Sequence, residues 1–270
     1  PLSEAANTGF GIGSAINGMR PIMIHFRLDF VLLTLDQIFN AASKMSYQFG
    51  QNLKCPFVIK VTVGRGWGQG PNHSQAFHSI FTHFPGMKVV LPSNPYDAKG
   101  LLVDSVLDDN PVLYVEHKSL FGSESNVPEN IYRVPIGKGN IIKKGKDVTV
   151  LAFSSMVPLA MNCIEKLNTI GIDAEIIDLR SSYPLDEELI ASSLSKTGRV
   201  VIADIDWIFC GIGSEISAMI TENYFDLLKA PIKRIGLPHA SHAVSYSLED
   251  VFYPNEEKII TSISNVVNYN

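Results

Sequence analysis

Short apolar runs alternate along the chain with amphipathic stretches, and the two periods predict different elements. Residues 20–26, 57–63, 88–91 and 112–115 are compact apolar runs rich in Val and Ile, as buried strands require. Between them, 34–44 sets Leu35, Ile38 and Ala42 on one helical face, and 97–107 does the same with Leu101, Leu102 and Val106. Pro92-Ser93-Asn94-Pro95 stops the third run. Strands alternating with helices predict a parallel sheet covered on both faces. From 117 to 146 the pattern breaks into Ser, Asn, Gly, Pro and Lys. It resumes with strands at 147–153, 173–179, 199–204 and 231–235, and helices at 156–167, 185–193 and 213–228. The expected class is α/β, with two doubly wound domains at 1–125 and 147–270 joined by a linker at 126–146.

Composition narrows the class. The 270 residues are 46% hydrophobic and only 18% charged, below the ~25% usual for soluble domains, so further surface is expected to be hidden in subunit contacts. A net charge of −5 without a basic tract argues against nucleic acid as a partner. No apolar run reaches the ~18–20 residues that span a bilayer, so no membrane is expected. Pro1-Leu2-Ser3-Glu4 has neither the basic nor the apolar part of a signal peptide. Cys55, Cys163 and Cys210 include no CxxC pair and read as reduced, mostly buried thiols of a cytoplasmic protein.

One loop concentrates candidate chemistry. After the 57–63 run, Gly64-Arg65-Gly66-Trp67-Gly68-Gln69-Gly70 leads into Pro71-Asn72-His73-Ser74-Gln75. This puts an imidazole that titrates near neutral pH at the carboxyl end of a strand, where open α/β sheets bind ligands. His73, His78 and His83 are five apart and share no helical face. His239 and His242 are three apart but have no third ligand close in sequence, and they read as surface or interdomain histidines. Gly9-Phe10-Gly11-Ile12-Gly13 lacks the preceding strand of a dinucleotide fingerprint, and Gly211-Ile212-Gly213 reads either as an anion-receiving helix start or as a tight turn. There is no phosphate loop of the GxxxxGK[ST] type and no GxSxG elbow.

A collinear series of motifs then identifies a family. It comprises Ser3-Glu4, Asn17-Gly18-Met19-Arg20-Pro21, Asp29-Phe30, Asp36-Gln37-Ile38-Phe39-Asn40-Ala41-Ala42-Ser43-Lys44, His73-Ser74-Gln75, Pro85-Gly86-Met87-Lys88 and Glu116-His117-Lys118. Pro135-Ile136-Gly137-Lys138, Asp178-Leu179-Arg180 and Pro184-Leu185-Asp186 continue it. The series resembles the beta subunit of the thiamine-diphosphate-dependent 2-oxo acid dehydrogenases of the pyruvate, branched-chain and acetoin types. The resemblance implies a transketolase-type pyrimidine-binding domain followed by a transketolase C-terminal domain. It also implies oxidative decarboxylation of a 2-oxo acid and transfer of the acyl group to the lipoyl domain of an acyltransferase component. In that family an alpha subunit holds Mg²⁺ and the diphosphate through Gly-Asp-Gly, which these residues lack, so an α2β2 assembly with the cofactor at the interface is expected. A transketolase-like ketol or aldehyde transferase and a non-catalytic scaffold subunit are the other readings. The compartment implied is the cytoplasm, or the mitochondrial matrix or a plastid if a transit peptide precedes the residues shown.

The same resemblance assigns residues. His73 matches the active-site histidine near the reacting centre and the incoming lipoyl group. Phe30 matches the aromatic ring that packs on the aminopyrimidine. Phe57, Val58, Ser105, Asp108 and Asn110 match a structural K⁺ site of some members. The glutamate that hydrogen-bonds the aminopyrimidine N1′ is expected upstream of Pro1 rather than at Glu4. His25-Phe26-Arg27-Leu28 departs from the common pattern and puts a cation near the expected cofactor cleft.

Overall fold

A computed structural model describes residues 2–66 and 68–269, so Trp67 of the glycine loop lies outside the described residues, as do the two terminal ones. The first part of the chain forms α1 (Glu4–Ile16), β1 (Ile22–His25), α2 (Met45–Gln48), β2 (Val58–Val63) and α3 (His78–His83). Next come β3 (Lys88–Val90), α4 (Pro95–Leu107), β4 (Val112–His117), β5 (Asn140–Lys143) and β6 (Val148–Ala152). The chain continues through α5 (Met156–Asn162), α6 (Ile164–Thr169), β7 (Ala174–Asp178), β8 (Ser181–Tyr183) and α7 (Glu187–Thr197). It closes with β9 (Val200–Trp207), α8 (Ile212–Tyr224), β10 (Lys233–Leu237), α9 (Tyr246–Phe252) and α10 (Glu256–Val267).

Two compact units result. The first runs to Ile136 and includes Ser181–Pro184; the second takes Gly137–Arg180 and the rest from Leu185. This division falls inside the segment 126–146 read as a linker, because its polar end, Asn140–Lys143, pairs as strand β5 against β7. The first sheet has the order β1-β2-β4-β3-β8 and the second β10-β9-β6-β7-β5. The expected parallel strands are parallel, and each sheet gains one antiparallel edge strand, β8 on β3 and β5 on β7. Those two strands are short and mixed in polarity, which hid them from the pattern.

In the first unit the centre of the sheet explains the apolar runs. Val58, Ile59, Val61, Val63 and Val112–Val115 are all buried, as in a parallel sheet covered on both faces. Helix α4 starts where Pro95 supplies a pre-set first-turn φ and the Asn94 side chain accepts the Asp97 N–H at 2.9 Å. Gly100 lets α4 lie against the segment at Val134: a Cβ there would stand 2.4 Å from Val134 Cγ2. Around this contact Val58, Val90, Leu101, Val112, Tyr114 and Val134 form a continuous core.

The predicted helix at 34–44 is replaced by tighter and wider turns. Leu28–Thr34 is 3-10, Asp36–Ala41 is π and Ala42–Lys44 is 3-10 again. Two hydroxyls bond back to the main chain here, Thr34 to the Val31 carbonyl and Ser43 to that of Phe39. Phe39 stacks on Phe84 with ring centres 3.7 Å apart. Ring packing thus fixes a segment that simple helical spacing describes only in outline.

Candidate active-site half in the first unit

Register aligns three strand ends. His25 of β1 pairs with Val61 of β2, and Val63 of β2 pairs with His117 of β4. The segments leaving these strands therefore emerge side by side: Arg27–Phe30, the Gly64 loop and His117–Lys118. Helix α1 packs against the 28–34 turn beside them.

His73 and Phe30 meet there. The Phe30 ring stands edge-on to the His73 imidazole with centres 5.2 Å apart and planes at 81°. Phe30 is 37% exposed, so it can offer a surface to a flat ligand. Gln75 Nε2 donates to Asp29 Oδ1 at 2.7 Å, whereas Asp29 Oδ2 is buried without a hydrogen-bond partner. Ser74 Oγ is likewise buried and unpartnered. An exposed aromatic ring beside buried polar atoms that lack partners fits a planar heterocycle with amino and ring-nitrogen groups.

The glycine loop is shaped by what crosses it. Gly64 adopts φ +90°, and a Cβ there would lie 2.3 Å from His117 Nε2, so only glycine allows the imidazole to sit over the loop. His117 is pushed down to about 4, by burial first and then by the Arg65 and Arg27 guanidiniums. It is neutral near pH 7 and shares a 2.7 Å hydrogen bond from Nδ1 with Ser119 Oγ. Lys118 is also lowered, by burial and by Arg27. Arg27 itself is 6% exposed and donates to the Gly64 carbonyl at 3.0 Å and to Gln69 Oε1.

Sequence reasoning gave no role to His117, which stood only as one letter of Glu116-His117-Lys118. Its neutrality arises from burial first and then from charges 52 and 90 positions away, relations no local pattern carries. Glu4 was also set aside. It occupies the first turn of α1, half-buried, and its charge raises His25, although burial is the larger influence and leaves His25 lowered overall. His25 Nε2 is buried without a hydrogen-bond partner. A carboxylate therefore does stand near the end of β1, on a helix packed against the turn that holds Phe30.

The expected cation ligands gather at the opposite end of the sheet, where α4 turns into β4. There the Phe57 carbonyl accepts the Val112 N–H at 2.9 Å, and Val58 N–H donates to the Pro21 carbonyl at 3.1 Å. Ser105 Oγ bonds back to the Leu101 carbonyl at 2.7 Å. Asp108 Oδ1 accepts from the Asn110 backbone at 2.9 Å, Oδ2 pairs with Lys88, and the Asp108 carbonyl accepts from Arg20 at 2.9 Å. Lys88 and Arg20 thus supply positive charge at this turn.

The second unit separates its two histidines. His242 is buried among Trp207, Phe252 and Tyr253 and shares a 2.7 Å hydrogen bond with the Tyr253 hydroxyl. Exposed His239 lies against Phe209 instead.

Comparison with known proteins places these features in a class. Residues 1–123 match the family described as transketolase, pyrimidine binding domain, and 137–259 match transketolase, C-terminal domain. A solved structure titled "Split gene transketolase, inactive beta4 tetramer" superposes with a TM-score of 0.81, covering 98% of this chain and 81% of that one; at 22% identity it shows the fold. The chain is 43% identical over 96% of its length to the acetoin:2,6-dichlorophenolindophenol oxidoreductase subunit beta of Cupriavidus necator, covering 77% of that protein. It is 40% identical over 96% of its length to the 2-oxoisovalerate dehydrogenase subunit beta of Bacillus subtilis, covering 80%. It is 35% identical over its whole length to the pyruvate dehydrogenase E1 component subunit beta of Rickettsia felis, covering 82%. The chain belongs to the family of beta subunits of thiamine-diphosphate-dependent 2-oxo acid dehydrogenases.

Proposed function

We propose that the carboxyl ends of β1, β2 and β4 form the pyrimidine-side half of a thiamine diphosphate site shared with an alpha subunit in an α2β2 assembly. The observation that carries this reading is the exposed Phe30 ring in contact with His73, beside the unpartnered Asp29 oxygen. When bound, the cofactor supplies an electron sink for decarboxylation of a 2-oxo acid. Phe30 packs on the aminopyrimidine face. The carboxylate that accepts a hydrogen bond from the ring nitrogen belongs to a residue upstream of Pro1, and Glu4 adds a negative charge beside the end of β1. His73, in contact with Phe30, would give a proton to the sulfur that leaves when the dithiolane S–S bond of an incoming lipoyl arm opens and its other sulfur takes the acyl group. His117, held neutral, lines this end without adding charge. Mg²⁺ and the diphosphate fall to the partner, since no Gly-Asp-Gly occurs here. The Asp108 turn has a structural role, with Lys88 and Arg20 supplying positive charge beside it.

Titration of thiamine diphosphate with Mg²⁺ into the chain alone and into its complex with the alpha subunit tests the divided site. High-affinity binding is expected only in the complex. His73→Ala in the complex is expected to slow acyl transfer to a lipoyl domain by on the order of 10²-fold or more; full activity in that variant removes His73 from the site.

Transfer of a ketol unit to a polar acceptor is a second reading, favoured by the closeness of Arg27, Arg65, His117 and Lys118. Assay of the complex with lipoyl domain and with sugar-phosphate acceptors separates the two.

A further inference from the structure

The loop that carries His73 is rich in glycine, yet it is tied to the end of β1 by one buried side chain. Arg27 donates to the Gly64 carbonyl, the first residue of the loop, at 3.0 Å and to Gln69 Oε1, four residues before His73. A guanidinium is a rigid planar fork, so bonds to two acceptors fix their spacing as well as their direction. Two further contacts join the same segments: Gln75 to Asp29 and the Phe30–His73 ring pair. A loop with Gly64, Gly66, Gly68 and Gly70 all at positive φ has little stiffness of its own to hold an imidazole in place. Helix α3 begins only at His78.

We propose that Arg27 is a positioning residue: its guanidinium latches Gly64 and Gln69 onto the end of β1 and so sets the place of His73 beside Phe30. This rests on the role given to His73 under Proposed function. Arg27 acts through the loop, because its guanidinium donates to the Gly64 carbonyl and to Gln69 Oε1. The family's common pattern at 25–28 gave no hint of such a tie, and this chain's Arg27 makes it.

Arg65 provides a readout independent of activity, since trypsin cleaves after it only when the loop opens. In the complex with the alpha subunit, Arg27→Met is expected to speed cleavage after Arg65 roughly tenfold, tracking the open population. The kcat for acyl transfer to a lipoyl domain is expected to fall by on the order of 10²-fold, as displacement of a catalytic group by about 1 Å does. The KM for the 2-oxo acid should stay within about threefold. Gln69→Met cuts one tie only and should move both readouts the same way by less, which covers the case of an Arg27→Met chain that does not fold. Gln69→Glu keeps an acceptor for the guanidinium and should preserve both. Unchanged cleavage in Arg27→Met and Gln69→Met overturns the latch. Faster cleavage with unchanged kcat overturns the positioning of His73. A raised KM with a protected loop makes Arg27 a substrate contact and overturns the proposal too. If the unmodified complex transfers no acyl group, the proposed function fails instead, and the cleavage rates still decide whether the latch exists.

Discussion

Lys196→Met strips the counter-ion from a carboxylate that has no access to water. The Glu175 side chain is 0% exposed on β7, and Lys196 reaches it from α7. Its carboxylate also accepts from Ser193 Oγ at 2.5 Å and from the Gly145 N–H at 3.3 Å. Ser193 Oγ continues to Thr149 Oγ1 at 2.6 Å, which lies 2.8 Å from Thr197 Oγ1. Burial alone pushes Glu175 up, but Lys196, Ser193 and Gly145 outweigh it and hold the group below the usual carboxylate range. Removing one partner of a buried pair costs about 3–5 kcal/mol. Lys196 keeps 43% exposure and is partly hydrated, which favours the lower end. With a urea m-value of about 1–3 kcal/mol/M, the midpoint should fall by roughly 1–2 M. The pH dependence fixes the sign. In the unmodified chain the lowered group gives stability that is present above its unfolded value of 4.5 and lost as pH falls through its folded value. In Lys196→Met burial dominates, the folded value rises, and the penalty grows as pH climbs. Urea unfolding followed by far-UV circular dichroism at pH 8, 6 and 5 should show a gap that narrows toward pH 5. The double variant Glu175→Gln/Lys196→Met should recover much of the loss. A cost under about 1 kcal/mol at pH 8, or a gap independent of pH, refutes the account of this pair.

Gly64→Ala should cost about 2–4 kcal/mol, combining a left-handed backbone with a methyl driven into the His117 ring, and a thermal melt of the purified chain reads it. His242, pushed by burial from 6.5 to about 4, gives stability that is complete above pH 6.5 and lost as pH falls toward 4. That loss approaches ~3 kcal/mol, and His242→Gln should flatten the dependence of the melting temperature between pH 7 and 4.5. Phe30→Ala should raise the thiamine diphosphate concentration for half-maximal activity roughly tenfold, as a lost stacking contact of about 1.4 kcal/mol requires. The melting temperature should barely move, since the ring is already partly exposed.

The strands were legible because burial on both faces leaves them nearly continuous Val, Ile and Leu. The glycine loop was legible because only glycine-rich backbone makes such a turn between a strand and a helix. What local pattern could not carry are relations between distant positions. Arg27 bonds to Gly64, Asp29 to Gln75, and Glu175 to Lys196, each across a gap in which the sequence gives no pairing signal. Glu175 sits mid-run in a strand whose face is fully buried, where an isolated carboxylate would be read as an exposed position. The 34–44 segment differs for another reason. Its apolar spacing is helical, but back-bonding hydroxyls and the Phe39–Phe84 stack decide the hydrogen-bond step.

Rapid-quench transfer of an acyl group to a lipoyl domain by the complex with the alpha subunit tests the central claim most directly. His73→Ala should slow that step by on the order of 10²–10⁴-fold. Oxidation of the same 2-oxo acid with 2,6-dichlorophenolindophenol as acceptor should stay within about tenfold of the unmodified rate, because that route needs no proton at the lipoyl thiol. Undiminished acyl transfer by His73→Ala would contradict the assignment of this site.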